Sequence, residues 1–348
     1  MERLSYFIRR LLLIIPTFLG ITFLVFLLTE FLPGGPVEQR IAQMRGMGSG
    51  EAGGGSGSNV SITEDQRKAI EREFGFDKPF PVRYWTWLVH DAMGMKAYSY
   101  KYNNKTVWQL VKERFPISLT FGITGFVLTY LICVPLGIAK ALRNGKPFDV
   151  LSSVVVLVLY AIPAFAFGMI LKTLFCGTSD QFFDWFPIGG FRSENWAALS
   201  AWGKVKDQTE HMFLPVLCYV IGNFAVLTIL QKNSLLDQIS QDYMRTVLAK
   251  GGTMRRAVWG HALRNALIPI VTGIGGILSI MFAGSVLIER VFAINGIGLL
   301  TLDAIVGRDY MIFMGTLGLG SLVALLGRVL SDFCYVLVDP RISFGGEK

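Results

Sequence analysis

The sequence predicts an all-α, polytopic membrane protein that has six transmembrane helices and a long extracytoplasmic loop after the first helix. Of its 348 residues, 52% are hydrophobic and only 17% are charged, whereas soluble domains carry roughly 25% charged residues. Six apolar runs are long enough to cross a bilayer. The short segments on one side of these runs are basic, as cytoplasmic loops are. Both termini are therefore expected in the cytoplasm.

The net charge of +8 does not indicate nucleic-acid binding. Lys and Arg lie mostly at the ends of the apolar runs, where they set topology or contact anionic lipid. We therefore expect membrane lipid, and no nucleic acid, among the partners of this chain.

Residues 1–32 are predicted to be an N-terminal segment and the first transmembrane helix, because the apolar run after Arg9 and Arg10 is too long for a signal peptide. Residues 33–116 are too polar to span and form a predicted periplasmic region. Its Gly/Ser-rich stretch, 46–58, is typical of a flexible linker.

Two short helices are predicted within this periplasmic region. The capping box Thr63-Glu64-Asp65-Gln66 begins the first of them. The aromatic stretch 82–93 indicates either a helix lying on the membrane surface or a small packed subdomain. The sequence leaves both alternatives open.

Residues 117–338 are predicted to be a membrane core, followed by a cytoplasmic tail at 339–348. The core contains five predicted spans: 117–142, 150–175, 211–230, 267–288 and 310–338. Pro163 is expected to kink the third helix and free a carbonyl.

Charged residues are scarce within the spans. Lys172 is expected to snorkel, and Arg328 is expected to pair with Asp332 one turn away. The fifth span carries small residues that allow close helix packing, namely Gly273, Gly275, Gly276, Ser279, Gly284 and Ser285.

A polar, basic segment, residues 242–269, separates the fourth span from the fifth: DYMRTVLAKGGTMRRAVWGHALRNALIP. Its periodicity predicts two short amphipathic helices, joined at Gly251–Gly252 and with Thr253 as the second N-cap. On the first helix Tyr243, Val247 and Lys250 would share one face, and on the second helix Met254, Ala257, Val258 and Ala262 would share another. Five basic side chains would face water: Arg245, Lys250, Arg255, Arg256 and Arg264. We predict that this basic segment docks on a soluble motor subunit.

The chain lacks the common motifs for an energy source or a catalytic site. It contains no GxxxxGK[ST] loop, no GxSxG and no HExxH. Its three histidines and four cysteines are scattered, so neither a metal site nor a disulfide framework is indicated. A non-catalytic subunit without a cofactor of its own is expected, with energy supplied by a partner.

Two other function classes are weaker alternatives. A secondary transporter needs ionisable residues deep in the membrane, and the centres of these spans are nearly free of them. A scaffold subunit without a pathway is the other alternative. An ATPase partner that is stimulated by a binding protein and peptide is expected of neither.

Several stretches resemble the oligopeptide/dipeptide permease family of binding-protein-dependent ABC importers. They include FIRRLLLIIPTFLGITFLVFLLTEFLPGGP, GFDKPFPVRYWTWL, LYAIPAFAFGMIL, most of the basic segment and the terminal DPRI. Within that family the chain looks most like the Yej-type peptide permeases, because of GGPVEQ, the Gly-rich insertion after it and the closing DPRISFGGE.

The resemblance implies a type I ABC importer permease in a bacterial inner membrane. It implies a second, homologous permease, ATPase subunits or a fused double ATPase that hold ATP and Mg, and a periplasmic peptide-binding protein. Oligopeptides, and peptide antibiotics such as microcin C, are the implied substrates.

The resemblance also implies that a coupling loop, residues 232–266, meets the ATPase. The residues implied there are Arg245, Thr246, Ala249, Lys250, Gly251, Gly252, Arg255, Arg256, His261, Arg264, Asn265 and Pro269. The family usually reads T-A-R-A-K-G, whereas this chain has Val247 and Leu248 within that motif. We expect a more apolar first helix, and a turn loosened by Gly252. The residues that line the pathway carry no motif.

Overall fold

The computed structural model describes residues 2–30, 41, 63–73, 76–99, 101–102, 105–177, 183–273 and 285–338. Across these ranges the chain is helical, with isolated β-bridges and no strand. The helices are α1 (Glu2–Glu30), α2 (Glu64–Glu73), α3 (Phe80–Trp85), α4 (Val107–Leu142), α5 (Pro147–Ala161), α6 (Ala164–Phe175), α7 (Ala201–Ile239), α8 (Asp242–Ala249), α9 (Met254–Ala257), α10 (Leu263–Ala266), α11 (Ile268–Thr272), α12 (Val286–Val291), α13 (Ile297–Val306) and α14 (Tyr310–Val338). Single π-helical turns follow α3 at Thr86–His90 and α9 at Val258–Ala262.

The prediction of an all-α polytopic membrane protein is confirmed. Four helices among the described residues are long and apolar enough to cross a membrane, and α5 with α6 makes a fifth if the pair is one span. These four stretches are Ser5–Thr29, Val107–Leu142, Ala201–Ile239 and Tyr310–Cys334.

The number of spans stays a prediction. The predicted fifth span, 267–288, is described only at its two ends, by α11 and by the start of α12. The small residues Gly275, Gly276, Ser279 and Gly284 lie outside the described residues, as do the linker 46–58 and the tail 339–348.

α4 and α7 begin about ten residues before the apolar runs that predicted them, because side-chain caps start them. The hydroxyl of Thr106 accepts the Gln109 N–H, and the Gln109 side chain accepts the Thr106 N–H, which is a capping box. Ser200 accepts the N–H of Gly203 in the same way. The helices therefore extend about ten residues beyond the predicted spans, and the span bounds at 117 and 211 stay predictions.

The predicted third span is broken rather than kinked. α5 ends at Ala161, Ile162 is extended, and Pro163 is the N-cap of α6. The two helices meet at 92°. Proline excludes the residue before it from the helical region, so the break falls where Pro163 predicted a distortion.

The chain forms two compact units, each of which is described by itself: residues 1–12, 114–299 and 323–348, and residues 13–113 and 300–322. In the second unit, α3 packs against α1. The Tyr84 hydroxyl bonds to Thr22 at 2.9 Å and donates to the Leu19 carbonyl, and Trp87 is buried. Tyr84 and Trp87 are thus packed whereas Trp85 is exposed, and both alternatives for 82–93 stay predictions.

One predicted charge arrangement in the first unit is wrong, and another stays a prediction. The Lys172 ammonium donates to the Val291 carbonyl at 2.7 Å, and its snorkelling stays a prediction. Asp332 pairs with Arg10 of α1 at 2.6 Å rather than with Arg328. In both cases a neighbouring element supplies a partner that helical spacing does not reveal.

The buried carboxylate of Glu289 joins α12 to α4 and to α13. Glu289 is 1% exposed and accepts hydrogen bonds from the Ser118 hydroxyl and the Leu299 N–H. Burial raises the pKa of Glu289 to about 7, against the effect of these hydrogen bonds and of the Arg114 charge. Because the folded chain holds this proton more tightly than the unfolded chain does, the contribution of Glu289 to stability falls as the pH rises from about 4.5 to about 7.

Candidate coupling site

The basic segment folds as two short helical pieces, as its periodicity predicts. α8 presents Met244, which is 1% exposed, to the rest of the first unit, and Tyr243 and Val247 flank it half-buried. Lys250 is exposed, as predicted. It is the C-cap of α8, with its own ψ near 12°, so it has left the helical repeat.

A Schellman motif ends α8 and reverses the chain. Gly251 has a φ of +81°, its N–H donates to the Leu248 carbonyl, and the N–H of Gly252 donates to the Val247 carbonyl. This is the hydrogen-bond pattern that closes a helix at a left-handed residue. A Cβ on Gly252 would lie 2.7 Å from the Val247 carbonyl oxygen. The expectation that Gly252 loosens the turn is therefore wrong, because the missing side chain lets the turn close tightly.

The second helical piece begins at its predicted cap. The Thr253 hydroxyl accepts the N–H of Arg256 at 3.3 Å. Ala257, Val258 and Ala262 are buried, as predicted, but Met254 is 52% exposed. Met254 is the first residue of α9, and the residue before it, Thr253, is the extended N-cap.

The buried side of the basic segment sits on the ends of two long helices. Met244, Ala257, Val258 and Ala262 share one apolar cluster with Ile138 and Ala141 of α4 and Leu235 of α7. The Ser234 hydroxyl donates to the Ala266 carbonyl at 2.9 Å. Closely packed side chains deform little, so the basic segment has a rigid seat on α4 and α7.

The opposite side of the basic segment is open. Of the residues predicted for the coupling loop, Gly252 is half-buried and all the others are exposed. The exposed residues are Arg245, Thr246, Ala249, Lys250, Gly251, Arg255, Arg256, His261, Arg264, Asn265 and Pro269. The structure brings them together in one segment beside the ends of α4 and α7, whereas Pro163 lies apart at the break between α5 and α6.

Three apolar side chains lie on this open side, and sequence reasoning singled out only one of them, Leu248. Leu248 is 39% exposed, Met254 is 52% exposed and Trp259 is 56% exposed. Exposed aromatic and Met side chains among arginines are typical of protein–protein contacts. The departure of Leu248 from the usual family residue was the one signal in the sequence that pointed to them.

A groove of about 660 Å³ lies between α4 and α7 in the first unit. Its lining includes Thr120, Thr124 and Leu128 of α4, and Gln208 and Met212 of α7. The Thr120 hydroxyl and the Gln208 amide donate to nearby carbonyls, so their polar atoms are already satisfied. The resulting wall is smooth and largely apolar.

A model of the family described as "Binding-protein-dependent transport system inner membrane component" matches residues 133–344, which include the whole basic segment. The chain belongs to this family. It is 39% identical over 98% of its length to the peptidoglycan transport system permease protein YejB of Agrobacterium fabrum, covering 98% of that protein. It is also 39% identical over 99% of its length to the inner membrane ABC transporter permease protein YejB of Escherichia coli O157:H7, covering all of it.

A more distant relative belongs to the same group. The dipeptide transport system permease protein DppB of Escherichia coli K12 is 32% identical over 97% of this chain and 98% of its own length. The resemblance seen in the sequence is thus confirmed. Membership makes this chain an inner membrane component of a binding-protein-dependent transport system, which implies ATPase and periplasmic binding-protein partners.

Proposed function

We propose that this chain is the permease subunit of an ABC importer that takes up oligopeptides. The observation that carries the proposal is the basic segment, a capped helix pair that is open on one side and seated on two long helices on the other. Nearly full-length similarity to transport permeases at 39% identity supports it. The family's partners supply the energy source that no P-loop in this chain provides.

In this proposal the basic segment faces the cytoplasm and docks in a cleft of the ATP-binding subunit. That subunit holds ATP and Mg, and its closure carries the segment with it. A second permease subunit completes the pathway, and both termini lie in the cytoplasm. The two permeases rock between inward- and outward-facing states as the ATPase closes and opens.

The groove between α4 and α7 is proposed as one wall of the pathway. The outward side chains of α5 include Val154, Val155 and Val158, each more than half exposed, as expected against lipid. The groove is largely apolar as well, but Thr120, Thr124 and Gln208 add hydroxyl and amide groups to it. A wall of that kind accepts many different peptide side chains.

Peptidoglycan fragments are a second candidate substrate class. The observation that favours them is the name of the Agrobacterium fabrum relative, a peptidoglycan transport system permease. Such fragments also contain peptide, so one pathway serves both classes. Microcin C is proposed as a further cargo because it is a peptide antibiotic.

The test is uptake by the purified complex in proteoliposomes. The chain is reconstituted with its second permease, its ATPase subunits and its binding protein, and labelled oligopeptides, muropeptides and microcin C are supplied in turn. We expect ATP-dependent uptake of oligopeptides that requires the binding protein. Uptake of muropeptides alone would transfer the assignment to the second class, and uptake of neither would contradict both.

A further inference from the structure

Three charged side chains meet at the end of the first unit that carries the basic segment. Lys232 of α7 donates to both carboxylate oxygens of Asp149 on α5, at 2.9 and 2.7 Å. Lys140 of α4 lies 3.1 Å from the same carboxylate. The side chains of Lys232, Asp149 and Lys140 are 17%, 6% and 1% exposed. Three helices are therefore joined by charges that are largely removed from water.

The two lysines do different things. The Lys140 ammonium also donates to the Asp149 carbonyl, the Ser152 hydroxyl and the Ser153 hydroxyl, at 2.9, 2.8 and 2.7 Å. All of these contacts stay within the hairpin of α4 and α5, whose helices are joined by a short turn. The Lys232 contact instead crosses from α7 to that hairpin.

This contact lies one turn from the seat of the basic segment. Leu235, three residues after Lys232, packs in the cluster that holds Met244 and Val258, and Ala141, next to Lys140, packs in the same cluster. The basic segment therefore pushes on α7 and α4 at this level. α5 is tied to α7 here by the ion pair, which resists separation because opening it leaves the Lys232 ammonium, on a side chain only 17% exposed, without its counter-charge.

We propose that Lys232 is a positioning residue, which makes α7 and the α4–α5 hairpin move as one body when the basic segment is displaced. Without it, the displacement reaches α7 while α5 lags behind. The proposal rests on the proposed function only in that the complex is driven by ATP, and it is independent of the substrate.

The chain offers a matched pair of variants. Lys232→Met removes the ion pair between α7 and α5, and leaves Asp149 paired with Lys140, so no buried carboxylate loses its counter-charge. Lys140→Met removes a more deeply buried ammonium, and leaves the Lys232 ion pair in place. Lys232→Arg restores a donor to the carboxylate and is the rescue variant. Lys232→Gln replaces the first variant should its complex fail to assemble.

The first readout is the distance between spin labels at Asn144, in the hairpin turn, and at Ser240, the C-cap of α7, which are both exposed. The labelled complex carries Cys334→Ser, because the other three cysteines are buried. We expect one distance, equal in the nucleotide-free and ATP-locked states, in the parent complex and in Lys140→Met and Lys232→Arg. In Lys232→Met we expect the distance to change between the two states.

The second readout is uptake per ATP hydrolysed, which we expect to fall by roughly tenfold in Lys232→Met, within the usual range of coupling between sites, and not in Lys140→Met. An unchanged distance and unchanged uptake per ATP in Lys232→Met would overturn the inference. So would a state-dependent distance in the parent complex, or equal losses in both Met variants. The expected distances in a complex that takes up no peptide would support the inference and contradict the proposed function instead.

Discussion

Substitution of Gly251 tests most simply how the basic segment works, because the positive φ of this residue determines whether the chain reverses there. Its φ is +81°, and a Cβ added to it would meet nothing within 4 Å. The cost of Gly251→Ala is therefore purely a backbone cost of about 1–2 kcal/mol. Gly251→Asn costs less, because Asn tolerates left-handed conformations.

Gly251→Pro is a far larger perturbation. Proline fixes φ near −65°, opposite in sign to the native angle, and removes the N–H that donates to the Leu248 carbonyl. The turn cannot close, at a cost of about 3 kcal/mol or more. Since 1.4 kcal/mol is a factor of about ten in an equilibrium, Ala lowers the population of the closed turn up to roughly 30-fold and Pro by more than 100-fold.

The assay measures uptake and ATP hydrolysis by the reconstituted complex, together with binding-protein docking. We expect uptake to fall in the order Gly, Asn, Ala, Pro, with docking of the binding protein unchanged. Gly145→Ala is the matched control, because Gly145 has a φ of +74° and the same open surroundings but lies in the turn between α4 and α5. Normal uptake by Gly251→Pro, or equal losses in Gly145→Ala and Gly251→Ala, would refute the reasoning.

Three further predictions follow from other parts of the chain. Ala249→Asp places a charge on the open face of α8 and is expected to abolish uptake without lowering the melting temperature. Ala198→Asp, in the predicted outer loop, is the control and is expected to leave uptake intact. Thr124→Trp is expected to block uptake by filling the groove, and Val155→Trp on the lipid-facing side of α5 is its control; equal uptake by both would contradict the pathway wall. The melting temperature of the parent complex is expected to fall more steeply between about pH 5 and about pH 7.5 than that of the Glu289→Gln complex. The reason is that the raised pKa of Glu289 lowers the free energy of unfolding by up to roughly 3 kcal/mol over that range. Identical slopes in the two complexes would contradict this prediction.

Local signals in the sequence predicted local features well. The capping box at Thr63–Gln66 forms its two reciprocal hydrogen bonds, and Thr253 caps the second half of the basic segment. Gly251 adopts the left-handed conformation that a helix end followed by glycine indicates. These features depend on residues within one turn of each other, so a single chain carries all the information.

Features that depend on contacts between distant elements were not predictable in the same way. Arg10 replaces Arg328 as the partner of Asp332, and the Val291 carbonyl captures Lys172. The contact of Lys232 with Asp149 joins residues 83 positions apart. Neither hydropathy nor helical spacing indicates which residues of distant elements pair with each other.

The basic segment has features that the sequence predicted and features that it did not. Its basic residues face outward as predicted, because charges avoid burial without a partner. Met254, however, is exposed although it shares its predicted face with three buried residues. Of the apolar residues on the candidate docking face, only Leu248 stood out in the sequence, and Met254 and Trp259 were added by the structure.

The central claim is that the open face of the basic segment is where the ATP-binding subunit docks. Photocrosslinking from Leu248 and Trp259 in the assembled complex tests it most directly, with the exposed Ala198 as the control position. We predict that both positions crosslink to the ATP-binding subunit and that the control does not. Crosslinking from Ala198 alone, or no crosslink from either position in a complex that hydrolyses ATP, would contradict the claim.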